Sequence, residues 1–225
     1  MTQKRPELIE LLFGFFPAQV IQVASRLAIA DHLAGRPRST AQLAASTGTD
    51  EAALYRLLRA LVCIKVLGEV TPGRFELTEQ GELLRSDVAG SIRNLATLFC
   101  GHEAWRSWGE LEHSVRTGEP AWTHLFGPVF EYLPAHPELN EIFNEAMAEA
   151  TRTVAPEVVA AGDFARFGTV ADIGGGNGTL LVAILEAHPQ VRGILFDTAA
   201  ALEEAPAVLD GRSVRPLPAS CRRLL

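Results

Sequence analysis

Cysteine is scarce in this 225-residue chain. Cys63, Cys100 and Cys221 are too few and too scattered for a disulfide framework or a zinc cage, which fits a reducing cytoplasm. An excess of basic charge is missing too. Twenty Lys and Arg against 27 Asp and Glu leave a net charge of −7, a poor counter-charge for a phosphate backbone. Long uncharged apolar runs are also absent. The stretch from Leu11 to Ser25 falls short of a bilayer span, and Glu7, Glu10, Pro17, Gln19 and Gln22 spoil a signal-peptide reading. No internal repeat or low-complexity segment is present. What remains, 48% apolar and 21% charged, is the composition of a globular protein and excludes wholesale disorder or a rod.

The spacing of apolar residues predicts two helices over residues 8–35. Leu8, Leu11, Leu12, Phe15 and Phe16 lead, Pro17 ends or restarts the pattern, and Gly35 stops it. So many large apolar side chains imply a helix swallowed by its own domain or shared with a second subunit. Ser39 or Thr40 is expected to cap a short helix through Ser46. Thr49 or Asp50 should cap another over 51–63, with Leu54, Leu57, Leu58, Leu61 and Val62 as its buried stripe. Two strands around Thr71-Pro72-Gly73 follow, and Thr78 caps the next helix. A helix-turn-helix followed by such a hairpin is a winged helix.

Residues 92–161 read as helical and aromatic-rich, with Phe99, Trp105, Trp108, Trp122, Phe126, Phe130, Tyr132 and Phe143 expected as core ahead of pocket. From Phe167 the pattern turns to α/β. A buried strand, Thr169–Ile173, precedes Gly174-Gly175-Gly176-Asn177-Gly178. A helix from Thr179 to His188 comes next, then a strand ending in Asp197.

Glycines at such a turn let backbone N–H groups approach a ligand at the helix N-terminus. The dinucleotide pattern G-x-G-x-x-G fails, since the third position from Gly174 is Thr179, and no Gly-Lys-Ser/Thr follows to make a phosphate loop. Asp197, 19 residues beyond Gly178, stands where a carboxylate can accept hydrogen bonds from a ribose; it reads equally as a cap for the following helix. Asp172 adds a second anion beside the loop, suited to an ammonium. A nucleoside with a cationic amino-acid tail, S-adenosylmethionine, satisfies both acids.

These motifs resemble the S-adenosylmethionine-dependent O-methyltransferase family, in its plant-type and bacterial small-molecule branch. The stretch Val170–Gly178 is similar to its cofactor loop, and Leu195-Phe196-Asp197 to its ribose-binding strand. Leu54–Leu61 and Leu77–Gly81 are similar to its winged-helix dimerisation domain, and Gly127–Leu133 and Phe143–Met147 to its linker helices. The resemblance implies a mainly α winged-helix dimerisation domain (1–100), helical linker and substrate-lining helices (101–164), an incomplete α/β Rossmann-like methyltransferase domain (165–210) and an atypical tail (211–225). It implies a cofactor site of Asp172, Gly174, Gly175, Gly176 and Asp197, flanked by Phe143 and Met147. It further implies a homodimer and a small hydroxylated, aromatic acceptor.

The likeness fades near residue 209, and the tail holds four arginines, two prolines and no acid, without strand or helix periodicity. The expectation is therefore a truncated form with little or no turnover. None of His32, His102, His113, His124, His136 and His188 matches the family's base position, so neither a catalytic residue nor a metal ligand is assigned. Nucleic acid and membrane are not expected partners. A winged-helix DNA-binding regulator is the alternative. Against it, Arg38, Arg56, Arg59, Lys65, Arg74 and Arg85 are balanced by Asp50, Glu51, Glu69, Glu76, Glu79 and Glu82. A non-catalytic dimerising relic of the enzyme is a further alternative.

Overall fold

The computed structural model describes residues 4–203, 205, 209 and 214–218. Contacts divide the chain into two compact units, Met1–Leu139 and Asn140–Leu225.

The first unit opens with α1 (Lys4–Leu12), α2 (Phe15–Arg26) and α3 (Ile29–Leu33). Pro17 lies in the first turn of α2, where its missing N–H has no intrahelical partner to lose, so it starts that helix rather than ending one. By length and composition Leu8–Arg26 is apolar enough to cross a membrane, although the uncharged run alone is too short. The stretch is interrupted between α1 and α2, and α2 buries Gln22 and Ser25 as well as Ala24.

Next come β1 (Arg38–Ser39), α4 (Thr40–Thr47), α5 (Glu51–Cys63), β2 (Leu67–Thr71), β3 (Arg74–Leu77) and α6 (Glu79–Glu82). Ser39 caps α4 in a reciprocal capping box with Gln42. Asp50 caps α5 by accepting from the Ala53 N–H at 2.7 Å. The α5 stripe narrows to Leu54, Leu58 and Leu61 as its buried part, with Leu57 and Val62 packed at the margin. The sheet has three strands in the order β1-β3-β2, all antiparallel neighbours; β1 is too short to carry a periodic signal in sequence. Phe75 on β3 is fully enclosed beneath Leu43, Leu58 and Leu61. Helix α5 ends in a Schellman turn, with Lys65 N–H donating to the Val62 carbonyl and Val66 N–H to that of Leu61. Lys65 stands in the left-handed position (φ +64°).

Helices α7 (Arg93–Phe99), α8 (His102–Gly109), α9 (Leu111–Thr117), α10 (Ala121–Phe126) and α11 (Val129–Tyr132) complete the unit. Here the aromatic belt departs from expectation. Phe99, Trp105, Trp108 and Phe130 are exposed, whereas Trp122, Phe126 and Tyr132 form a half-buried cluster. These helices are only four to eight residues long, so each offers little surface with which to bury a ring completely.

The second unit begins within α12 (Pro137–Ala161) and continues through β4 (Thr169–Ile173), α13 (Thr179–Ala187), β5 (Arg192–Asp197), α14 (Ala199–Glu203) and β6 (Val214–Pro218). The order β4-β5-β6 is parallel throughout, with Ile173 opposite Phe196 and Asp197 opposite Pro218. Residues 214–218 of the tail therefore form a strand, which the sequence pattern did not predict. Its prolines mask a strand in sequence, but an edge strand needs hydrogen bonds along one side only. Nor is β4 buried on both faces. Leu181 and Leu185 of α13 cover one face with Leu195 and Val170, whereas Ala171 and Ile173 face solvent.

Candidate cofactor site

The β4–α13 turn is built by three glycines with positive φ. Gly174 (+76°), Gly176 (+58°) and Gly178 (+88°) adopt the left-handed region that a side chain disfavours. Gly174 N–H donates to the Phe196 carbonyl at 2.8 Å, carrying the sheet ladder into the loop. Gly175 has ordinary dihedrals but no room. A Cβ there would lie 2.5 Å from the Asp172 carboxylate and 2.6 Å from Leu195.

Asp197 closes the loop from the neighbouring strand. Its Oδ2 accepts from Gly176 N–H at 2.7 Å and its Oδ1 from Thr198 N–H at 2.6 Å. The capping of α14 falls to Thr198, whose hydroxyl accepts from Ala201 N–H. Asp197 therefore faces the glycine turn. A carboxylate has about four acceptor positions, so two donors leave it able to take a pair of hydroxyls.

Asp172 carries the other charge. Burial, and then the charge of Asp197, push its carboxyl above the usual range. Its Oδ2 is buried without a hydrogen-bond partner among the described residues. A cation placed there would supply the missing donor and favour the ionised form, which is the demand an ammonium meets.

Phe143 and Met147 sit one turn apart, both half-buried, on α12. Sequence reasoning missed Asn177 as a contributor. Its side-chain oxygen accepts from the Thr179 hydroxyl at 2.7 Å and from the Thr179 N–H at 3.2 Å, fixing the entry to α13. The Asn-x-Thr spacing was the available signal. His188 caps the far end of α13 from the loop, roughly 13 Å away for nine helical residues.

Two family models match the chain, the O-methyltransferase dimerisation domain over residues 9–87 and the O-methyltransferase domain over residues 108–216. The chain belongs to the O-methyltransferase family. Among curated relatives, the O-demethylpuromycin-O-methyltransferase of Streptomyces alboniger is 40% identical over 211 residues, covering 92% of this chain and 56% of its own length. The 8-amino-8-demethylriboflavin N,N-dimethyltransferase of Streptomyces davaonensis is 38% identical over 200 residues, covering 88% and 58%. The chain thus spans little more than half the length of these relatives. Among solved structures, LaPhzM matches with a TM-score of 0.90 at 40% identity, covering 95% of this chain and 65% of that one. The O-methyltransferase NcsB1, from neocarzinostatin biosynthesis, was solved with S-adenosylmethionine and 2-hydroxy-5-methyl naphthoic acid. It matches with a TM-score of 0.71 at 32% identity, covering 90% and 64%.

Proposed function

We propose that this chain binds S-adenosylmethionine at the β4–α13 loop and belongs to an enzyme that methylates a hydroxyl of a small aromatic molecule. The observation that carries the reading is the pairing of two carboxylates around one glycine turn. Asp197 faces the loop with acceptor capacity to spare, and Asp172 holds a buried oxygen without a donor among the described residues. Asp197 would take the ribose hydroxyls and Asp172 the ammonium of the methionine tail. Gly174 and Gly176 keep the approach free of side chains, while Phe143 and Met147 would flank cofactor and acceptor. The cofactor, when bound, supplies an electrophilic methyl on a sulfonium that is already a good leaving group. The enzyme's share is then alignment of the acceptor and removal of its proton. No side chain described here is assigned that proton.

A titration series tests the cofactor class. S-adenosylmethionine and S-adenosylhomocysteine should bind, both carrying the ribose and the ammonium. ATP should bind at least tenfold more weakly (about 1.4 kcal/mol), since its phosphates meet two carboxylates and no lysine. Equal or tighter ATP binding would overturn the reading. Isotope-labelled methyl transfer to hydroxynaphthoates or other phenols, in preference to aromatic amines, tests the acceptor. The opposite preference would replace oxygen by nitrogen.

The chain is also proposed to act as a homodimer through its first helices. Leu8, Leu11, Leu12, Phe13 and Phe16 are more than half exposed, on a segment that the dimerisation-domain model matches from residue 9. A contiguous apolar face of this kind is seldom left to water. The winged helix carries no net charge over residues 38–85, a weak counter-charge for DNA, and Arg59 of α5 pairs with Glu69 of β2.

A further inference from the structure

Among the described residues, and apart from the cofactor loop, one cluster of ligating side chains stands at the corner between α9 and α10. His113 Nε2 lies 3.0 Å from Glu119 Oε2, and His124 Nδ1 lies 3.9 Å from the same oxygen. All three donor atoms fall within 4.8 Å of one another. We propose that His113, Glu119 and His124 form a surface site for a zinc-class divalent transition metal. A simple hydrogen bond accounts for His113 and Glu119 but leaves His124 unexplained. Its imidazole stacks on that of His113 with ring centres 3.8 Å apart, a stack that one ring must leave for both nitrogens to face a single ion, and its Nδ1 lies beside the same carboxylate.

The donor set selects the ion. Two imidazoles and one carboxylate suit Zn(II) and its neighbours, whereas Ca(II) and Mg(II) require oxygen ligands throughout. Tetrahedral zinc with bonds of about 2.0–2.2 Å spaces its ligand atoms by about 3.4 Å. The distances from Glu119 Oε2 to the two ring nitrogens, 3.0 and 3.9 Å, bracket that value, and closure takes side-chain shifts together with a turn of one ring about χ2. Exposure makes the turn possible, because the side chains of His124 and Glu119 are nearly half open to solvent. Solvent would fill the fourth position. The backbone of the corner is already fixed. Gly118 takes φ +77°, Glu119 N–H donates to the Thr117 hydroxyl, and that hydroxyl donates to the His113 carbonyl. A bound ion would clamp α9 to α10.

The test is calorimetric titration of the whole chain with zinc chloride, repeated with cobalt(II) for its visible absorption. One saturable equivalent is expected, with a tetrahedral cobalt spectrum free of thiolate charge transfer, so that Cys63 is not the ligand. His113→Gln and His124→Gln should each weaken binding by about tenfold or more. Glu119→Gln, which keeps a hydrogen-bonding amide and so guards against misfolding, should weaken it similarly, and His102→Gln should not. Absence of saturable uptake, a thiolate band, or full binding in the doubly substituted histidine variant would overturn the proposal.

Discussion

Asp197 at the end of β5 and Gly176 in the preceding turn are joined by a 2.7 Å hydrogen bond from the glycine N–H to the carboxylate Oδ2. Twenty-one residues apart in sequence, they bring the second strand's acid into the first strand's loop. The loop is thereby held in shape by the carboxylate that is proposed to receive the ribose. Loop order and cofactor affinity should then respond together to changes at residue 197.

Gly175 has no space for a methyl group. Gly175→Ala would drive a Cβ to 2.5 Å from Asp172 and 2.6 Å from Leu195. A loss of about 1–3 kcal/mol in unfolding free energy is expected from such overpacking, measured by urea denaturation. Cofactor binding should fall with it. An unchanged midpoint would mean that the turn is looser than described.

Asp172 should impart a pH dependence of defined sign. Its carboxyl is raised in the folded chain, by burial and by Asp197. In the free protein its contribution to stability is full below the ordinary carboxylate range and lost as pH rises through the raised value. A bound ammonium reverses the preference, so S-adenosylmethionine affinity should rise with pH across the same window. Asp172→Asn should flatten that rise. A pH profile identical to the wild type would place the ammonium elsewhere.

Lys65 pays for its left-handed position at the end of α5. Lys65→Gly should stabilise the chain by about 1 kcal/mol, because glycine takes that conformation without a Cβ clash. Thermal unfolding decides it. A lowered melting temperature would show that the lysine side chain outweighs its backbone strain.

The exposed residues Leu11 and Phe16 should govern self-association. Leu11→Asp with Phe16→Asp is expected to convert a dimer to a soluble monomer in sedimentation velocity. A monomeric wild-type chain at micromolar concentration would contradict the proposed dimer.

Local rules made much of this legible. Ser39, Asp50 and Thr78 cap helices where short polar side chains precede apolar periodicity, and the glycine turn and Asp197 announce a β-α-β unit. What escaped depends on long-range pairing. Strand β1 exists because Arg38 and Ser39 meet Phe75 and Arg74, and β6 because an edge next to β5 accepts a proline-bearing segment. The exposure of Trp108 and Phe130 could not be read from spacing, since periodicity marks a face without telling whether anything covers it. The His113, Glu119 and His124 cluster escaped for a related reason. Its intervals match no metal-binding signature, and the donors converge only because the chain turns at Gly118.

Titration of the chain with S-adenosylmethionine, alongside Asp197→Ala, tests the central claim most directly. Saturable binding is predicted for the wild type. The variant should keep its far-ultraviolet circular dichroism and lose at least about tenfold in affinity, as removal of a charged acceptor worth about 1.5–3 kcal/mol requires. Equal affinity in a folded Asp197→Ala chain would contradict the account.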